Sequence, residues 1–239
     1  MSSKKPPPTI FWDFDGTLVR GPRWGRICIN VLDANHPGHG ITHDEIREFL
    51  LEGFPWHNPE RPHPELSTPA AWWSRVESIL ARAYREIGYN SIESERLAQL
   101  AHELMLIPDG YTPFEETIPA LKRLSSRGWR HIILSNNFHE LPVLLESLLI
   151  RDFIHSCVSS AVIGYEKPHP EVFAIAMEHA GHPEKVWMIG DSVPADIRGA
   201  EAAGIPAILV HRPTDEKVEY YADNLLEAVS IIENSVSSL

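Results

Sequence analysis

The strongest constraint on the fold is a repeated alternation of short apolar runs with longer segments of helical periodicity. The first run is at 10–12, the next clear one is at 132–134, and three weaker runs follow. This order is typical of a parallel sheet covered by helices. The predicted strands are 10–12, 132–134, 157–159, 186–189 and 207–210; the predicted helices are 115–127, 142–149, 170–180, 195–203 and 225–232, with Gly128, Gly181 and Gly204 as helix stops.

The interval after the first strand breaks this alternation, because helical patterns follow one another there without a strand between them. Thr42 and Glu45 have the spacing of a capping box. We therefore predict a three-layer α/β/α core with a central parallel sheet, formed by 1–20 and 108–239, and an inserted all-helical cap domain at 21–107. The predicted cap helices are 24–35, 42–52, 69–87 and 92–106, and a proline-rich connection at 55–69 separates the second from the third.

Net charge and composition indicate which classes of binding partner are disfavoured. The net charge of −12 over 239 residues disfavours nucleic acid and anionic membranes as main partners. Cys28 and Cys157 have no paired or metal-binding spacing, which is typical of small core residues in a reducing cytoplasm. The first nine residues predict a loose tail without the apolar stretch of a signal peptide, and no apolar run is long enough for a membrane helix. We expect a soluble cytoplasmic protein.

Two carboxylates follow the first predicted strand. Asp13 and Asp15 are two residues apart, so an extended backbone would direct both to the same side. Two carboxylates that close repel each other unless a cation or a proton lies between them. Gly16 then allows a sharp turn and a close approach to a ligand.

Three further polar segments also follow predicted strands or precede a helix. Ser135 and Asn136 end the second strand, Lys167 stands just before the 170–180 helix, and Asp191 and Asp196 follow the fourth strand. Ligands of parallel α/β sheets bind at this carboxyl edge. Carboxylate oxygens are the ligands that magnesium prefers.

Taken in order, these four segments resemble the signature of the haloacid dehalogenase superfamily: D-x-D-G-T, a strand-end Ser or Thr, a Lys, and an acidic pair. The resemblance covers 10–20 and 113 to about 212, and the helical insertion lies where one cap type of that superfamily is inserted. It implies a Rossmann-like core and a phosphatase that acts on a small phosphorylated metabolite. It also implies that Asp13 attacks phosphorus to form an aspartyl phosphate, while Asp15 protonates the leaving group and then activates water.

The resemblance further implies ligand sets for magnesium and for phosphate. The cation would neutralise charge during phosphoryl transfer. The implied magnesium ligands are Asp13, the backbone carbonyl of Asp15, Asp191 and Asp196; the implied phosphate-binding residues are Ser135, Asn136, Lys167, Gly16 and Thr17.

Single residues distinguish between the other reactions that this superfamily catalyses. The 2-haloacid dehalogenases lack the second aspartate, so Asp15 favours phosphate esters. Phosphonate hydrolases need a cap lysine, and no lysine occurs between Lys5 and Lys122. A hexose phosphate mutase would keep all four motifs and stays open, as does a catalytically silent binding protein that retains the fold. The substrate and the oligomeric state are not encoded in these motifs.

Residues of the insertion carry weaker signals. Arg20 and Arg23, just past the catalytic loop, are candidate contacts for a substrate anion. The histidines His36, His39 and His43 lack a spacing that would bring them together, which favours a solvated loop over a metal site. Four of the seven tryptophans fall in the insertion and predict a helical-bundle core, with one or two lining the substrate pocket: Trp24, Trp56, Trp72 and Trp73.

Overall fold

The structure, a computed structural model, describes residues 5–237 and assigns helix or strand to most of them. The strands are β1 (Thr9–Trp12), β2 (Val19–Arg20), β3 (Thr112–Pro113), β4 (Arg130–Ser135), β5 (Ile154–Ser159), β6 (Val186–Gly190), β7 (Ala207–Val210) and β8 (Tyr220–Ala222). The helices are α1 (Trp24–Asn35), α2 (His43–Glu48), α3 (Pro69–Glu86), α4 (Ser91–Met105), α5 (Thr117–Ser125), α6 (Leu141–Ser147), α7 (Ser160–Ile163), α8 (Pro170–Ala180), α9 (Gly199–Ala202) and α10 (Leu225–Ser237). Four short 3₁₀ turns are Pro55–His57, Pro64–Leu66, Pro108–Gly110 and Arg151–Phe153.

Six of the described strands form one parallel sheet in the order β5-β4-β1-β6-β7-β8. All five predicted strands are confirmed, and β1 lies at the centre between β4 and β6. Strand β8 was not predicted because its three residues follow a polar stretch and only Ala222 is buried. Residues 1–4 of the predicted tail lie outside the described residues, and Thr9 is already part of β1.

The alternation of side chains along the central strand divides the core into three layers. Ile10 and Trp12 pack on the face covered by α5, α6 and α10, whereas Phe11 packs on the face covered by α8 and α9. All three side chains are fully buried. Successive strand residues point to opposite faces, so a fully apolar strand indicates a sheet covered on both sides. The predicted three-layer α/β core is therefore confirmed.

Helices α1 to α4 form the cap between β2 and β3, which pair antiparallel with each other as the two connections to the core. The capping box of Thr42 and Glu45 at the start of α2 is confirmed. This helix ends at Glu48, earlier than the predicted 52, because the chain turns there to bring Phe54 into the cap interior. The predicted boundaries of the cap at 21 and 107 fall close to these connections and stay a prediction.

Two helical segments of the core differ from the predicted ones. The predicted 195–203 helix is a π-helical turn, Val193–Arg198, followed by the short α9, and the Ser192 side chain caps its start. Helix α10 continues to Ser237, past the predicted 232. The predicted helix stop at Gly181 is confirmed by its left-handed φ of 75°. Among the described residues, no helix combines the length and the apolar character needed to span a membrane.

Candidate active site

A cavity of about 890 Å³ lies at the carboxyl ends of the central strands, where the cap faces the core. The residues that follow β1, the end of β4 and the loop before α8 line its floor, and residues of the cap line its other side. This is the edge at which parallel α/β sheets bind ligands. The predicted site residues that line it are Asp13, Asp15, Gly16, Arg20, Arg23, Ser135, Asn136, Lys167 and Asp196.

Asp13 and Asp15 both line this cavity, and Phe14 between them is buried in the core. Strand β1 ends at Trp12, but the Asp13 N–H still donates to the Ile189 carbonyl at 2.9 Å, which holds the aspartate against β6. Asp15 is reached by solvent from the cavity. Gly16 has a φ of 80°, and a side chain there would overlap the Asp191 carboxylate. The chain therefore needs glycine directly after this pair.

Lys167 is a buried cation between two carboxylates. Its Nζ donates to Asp13 Oδ1 at 2.8 Å and to Asp196 Oδ1 at 2.6 Å. Burial by itself lowers the pKa of this ammonium, but the charges of Asp13 and Asp196 outweigh that effect and raise the pKa above its usual range. The lysine therefore stays charged at neutral pH, as phosphate binding requires.

Asn136 positions Lys167. Its Nδ2 donates to the Lys167 carbonyl at 3.0 Å, and its Oδ1 accepts from the Lys167 N–H at 2.7 Å. The Asn136 side chain thus holds the Lys167 backbone, and the predicted contact of Asn136 with phosphate stays a prediction. Ser135 ends β4, is 3% exposed and lines the cavity as predicted.

Thr17 directly follows Gly16 in the loop after β1. Its side chain is fully buried and is not among those that line the cavity. Within the described residues its Oγ1 has no hydrogen-bond partner. The turn at Gly16 directs the Thr17 side chain into the core, and the contact of this residue with phosphate stays a prediction.

Three carboxylates form the group of described residues with the geometry of a metal site. Asp13, Asp191 and Asp196 each offer an oxygen, these oxygens lie within 4.8 Å of one another, and all three residues are buried. Asp191 Oδ2 lies 2.8 Å from Arg212 Nε, yet the N–H does not point at it and the buried oxygen accepts no hydrogen bond from the described residues. Such a set of hard oxygen donors fits Mg²⁺.

Burial and the crowding of carboxylates raise the pKa of Asp15, Asp191 and Asp196. Asp15 faces the open cavity but is surrounded by protein, and this loss of bulk solvent, followed by repulsion from Asp13, raises the pKa of Asp15 to about 7, while the hydrogen bond from Asn137 opposes the shift. Burial and the same Asp13 charge raise the pKa of Asp191 to about 6, against the effect of Arg212. A carboxyl group with a pKa near 7 can both give and take a proton at neutral pH.

Sequence reasoning missed three polar residues of the site. Asn137 Nδ2 donates to Asp15 Oδ2 at 3.0 Å and orients that carboxyl group. Arg212 approaches Asp191, and His211 contacts the Thr17 carbonyl at 3.1 Å through Nε2. The only available signal was the position of Asn137 at a strand end, next to Asn136, and of His211 and Arg212 directly after the last predicted strand.

The two arginines named from the sequence lie at the mouth of the cavity. Arg20 and Arg23 are exposed and line it, and the Arg20 guanidinium sits 4.0 Å from the centre of the Phe114 ring. Whether either arginine contacts a substrate stays a prediction.

The cap histidines each contact a different carboxylate rather than one another. His36 lies 2.6 Å from Glu93. His39 lies 3.1 Å from Asp33, and His43 lies 3.2 Å from Asp44.

The cap tryptophans lie where the cap meets the cavity. Trp24, Trp56 and Trp72 line it, which is more than the one or two predicted. Trp73 is buried and bridges cap and core: its Nε1 donates to both carboxylate oxygens of Glu140 at 3.1 and 3.2 Å.

A second cap–core contact lies next to the lysine. His63, between α2 and α3, places Nε2 3.1 Å from Glu166 Oε1, and both residues are buried. The His63 N–H also donates to the Gly164 carbonyl at 2.8 Å. The cap is therefore attached to the core through the residue that precedes Lys167.

The α/β core and the acidic, lysine-containing site under a helical cap are those of a hydrolase of the phosphatase type. Residues 7–204 match the family model "haloacid dehalogenase-like hydrolase", so the chain belongs to this family, as the sequence resemblance predicted. The chain is 33% identical over 219 residues to a glyceraldehyde 3-phosphate phosphatase of Methanothermobacter thermautotrophicus, covering 87% of each protein.

Two further comparisons show a partial likeness in sequence and a likeness in fold. A phosphoserine phosphatase of Thermus thermophilus is 30% identical over 154 residues, or 62% of this chain and 60% of the relative. The HAD-hydrolase YfnB of Bacillus subtilis has the same fold, with a TM-score of 0.73 at 19% identity over 96% of this chain and 100% of that one.

Proposed function

We propose that the chain hydrolyses small phosphomonoesters, with Asp13 as the nucleophile and Asp15 as the proton donor and acceptor. The observation that carries the proposal is the placement of both carboxyl groups on one cavity, with the Lys167 ammonium 2.8 Å from Asp13 Oδ1. Relatives named for the phosphatase activity on glyceraldehyde 3-phosphate and phosphoserine support a small phosphorylated substrate.

The proposed reaction has two displacement steps at phosphorus. An Asp13 oxygen attacks, the bond to the alcohol oxygen breaks, and Asp15 gives its proton to the departing alkoxide. Asp15, now ionised, takes a proton from water, which attacks the aspartyl phosphate and releases phosphate and the Asp13 carboxylate. A pKa of Asp15 near 7 suits both roles. Lys167 and Ser135 would hold the phosphoryl oxygens.

Magnesium is part of the proposal. Asp13, Asp191 and Asp196 would hold it together with the Asp15 carbonyl, and the buried Asp191 Oδ2 without a hydrogen bond supports this donor set. When bound, the cation would neutralise charge on the phosphoryl oxygens. Calorimetric titration with Mg²⁺ alone tests the site: we expect Asp191→Asn to weaken binding at least about 10-fold, and the exposed Asp109→Asn to leave it unchanged.

A comparison of two leaving groups tests the roles of the aspartates. p-Nitrophenolate leaves without a proton, whereas an alkoxide needs one. We expect Asp15→Asn to release p-nitrophenol from p-nitrophenyl phosphate in a burst of one equivalent per enzyme, because the second step then lacks its base. With an alkyl phosphate the same variant should lose roughly 10²- to 10⁴-fold in the first step.

Asp13→Asn should give neither burst nor turnover, and Asp109→Asn, an exposed carboxyl outside the cavity, should behave as wild type. Turnover by Asp13→Asn at the wild-type rate would refute the nucleophile assignment. A full rate on alkyl phosphates for Asp15→Asn would instead refute only the proton-transfer role.

A cytoplasmic location completes the proposal. Its support is that Cys28 and Cys157 are both free cysteines. Labelling both thiols in freshly lysed cells, without prior reduction, tests it.

A further inference from the structure

The cap side of the cavity is built from aromatic rings. Trp24 and Trp56 are half-buried and line it. Phe54, 2% exposed, stacks between them: its ring centre lies 5.6 Å from that of Trp24 and 4.5 Å from that of Trp56, with interplanar angles of 25° and 12°. The inner ring is thus fixed by packing, and the two outer indoles keep surface open to the cavity.

Trp72 extends this wall toward the core. It is 1% exposed and also lines the cavity, with its ring centre 6.4 Å from Trp56 and 6.4 Å from His139 of the core. The aromatic wall is therefore continuous from the cap to the edge of the sheet. It stands opposite a polar floor of Asp13, Asp15 and Lys167.

The size of the cavity exceeds what a phosphate and a short polyol need. Its volume of about 890 Å³ is near the upper end of pockets that bind drug-sized ligands, roughly 300–1,000 Å³. A wall of indole surface favours flat π-systems by offset stacking, whereas a short acyclic polyol would cover little of it. Arg20 and Arg23 at the mouth can contact polar atoms on the edge of such a ring.

We propose that the preferred substrates are phosphomonoesters whose alcohol carries a flat aromatic ring, with the ring stacked on Trp24 or on Trp56 while the phosphate meets Asp13. This inference rests on the proposed phosphatase function. The ring can be an aryl group or a nucleobase, since both offer the same stacking face. Stacking of a base on an aromatic side chain changes affinity by roughly 5- to 150-fold when the side chain is removed.

Two matched substrate pairs test the proposal. Benzyl phosphate is compared with cyclohexylmethyl phosphate, and cytidine 5′-monophosphate with ribose 5-phosphate, because within each pair the leaving alcohols are chemically similar. We expect kcat/KM of the aromatic member to exceed that of its partner by at least about 5-fold in one pair or both. An advantage in the first pair alone identifies an aryl ring, and one in the second pair alone identifies a nucleobase.

Variants link this preference to the wall. Trp56→Leu or Trp24→Leu, whichever removes the stacking face, should bring the kcat/KM ratio within the pair toward one. Trp56→Met and Trp24→Met repeat the measurement where a leucine variant does not fold. Tyr221→Leu removes an aromatic ring that is 37% exposed and outside the cavity, and it should leave the ratio unchanged.

Wild-type enzyme that hydrolyses all four esters without preferring the aromatic members would overturn the inference, as would a ratio that both tryptophan variants leave intact. Neither result touches the proposed function. The proposed phosphatase activity fails when wild-type enzyme releases phosphate from none of these esters and none from p-nitrophenyl phosphate, so the two failures are distinguishable.

Discussion

His131 on strand β4 should make the protein sensitive to mild acid. The residue is 1% exposed, and its Nδ1 accepts a hydrogen bond from Trp12 Nε1 at 3.0 Å. An indole N–H can only donate, so Nδ1 must be unprotonated. The proton of the neutral ring then lies on Nε2, which is 3.1 Å from the Leu121 carbonyl that can accept it. A second proton on the His131 ring would place an N–H at Nδ1 against the indole N–H of Trp12, the residue that precedes Asp13.

The size of the effect follows from the shift in pKa. Burial lowers the pKa of His131 from 6.5 to about 4. The unfolded chain therefore binds more protons than the folded one between these values, so the stabilisation is complete above pH 6.5 and is lost as the pH falls toward 4. Two-state linkage with these values gives a loss of about 2 kcal/mol between pH 7 and pH 5, and about 3 kcal/mol once the pH is below 4.

Urea unfolding at pH 7 and pH 5, followed by tryptophan fluorescence and by circular dichroism, measures this loss. The variant His131→Asn keeps an acceptor near the position of Nδ1 but cannot be protonated. Its free energy of unfolding should be lower than that of wild type at pH 7, yet should fall about 2 kcal/mol less on going to pH 5. His182→Asn is the matched control, because His182 is exposed and its φ of 55° suits asparagine.

Equal losses for wild type and His131→Asn between pH 7 and pH 5 would refute the reasoning. A direct check is the NMR titration of the His131 ring, which should keep the chemical shifts of the neutral form at pH 5. A ring already protonated at pH 6 would show that the contact with Trp12 does not hold in solution.

One glycine substitution tests the metal site, and one histidine substitution tests the contact between cap and core. Gly190→Ala would place a methyl group onto the Asp196 carboxylate, so we expect at least about a 10-fold loss of Mg²⁺ affinity by calorimetry; wild-type affinity with native circular dichroism would contradict the metal assignment. His63→Leu would leave the buried Glu166 carboxylate without its partner and should lower the free energy of unfolding by about 1–3 kcal/mol in urea. A change below a few tenths of a kcal/mol would mean that this contact does not hold the cap.

Much of the fold could be predicted because burial on both faces leaves a plain signal in the sequence. The centre of the sheet carries short apolar runs, as at Ile10, Phe11 and Trp12, and most of these runs are followed by a segment of helical periodicity. The residues of the site that stand at the ends of these strands were predicted for the same reason. Because the strands are parallel, the carboxyl ends of the strands meet at one edge of the sheet. This brings Asp13 and Lys167, which are 154 positions apart in the sequence, into contact.

The sequence does not reveal which partner each polar side chain of the site contacts. Asn136 and Asn137 are neighbours of the same type, yet one binds the Lys167 backbone and the other binds Asp15. Neither spacing nor composition separates these two roles. Arg212 reaches Asp191 from the loop after β7, and nothing in the sequence near Arg212 marks it as part of an acidic site.

The charges of the site explain why a lysine alone would not suffice for phosphate binding. Asp13, Asp191 and Asp196 together carry three negative charges when ionised, and Lys167 and Arg212 bring two positive charges against them. The raised pKa of Asp191, about 6, reflects this excess of negative charge in a buried place. At 4 Å, two like charges repel by about 4 kcal/mol at an effective dielectric constant of about 20. A dianionic phosphate would therefore be repelled from Asp13, and a divalent cation among the three carboxylates would reverse the sign of the field. The balance of charge therefore favours a metal and a phosphate bound in one site. Asp15 can keep its proton near pH 7, so it is the carboxyl group that a phosphate ester can approach closely.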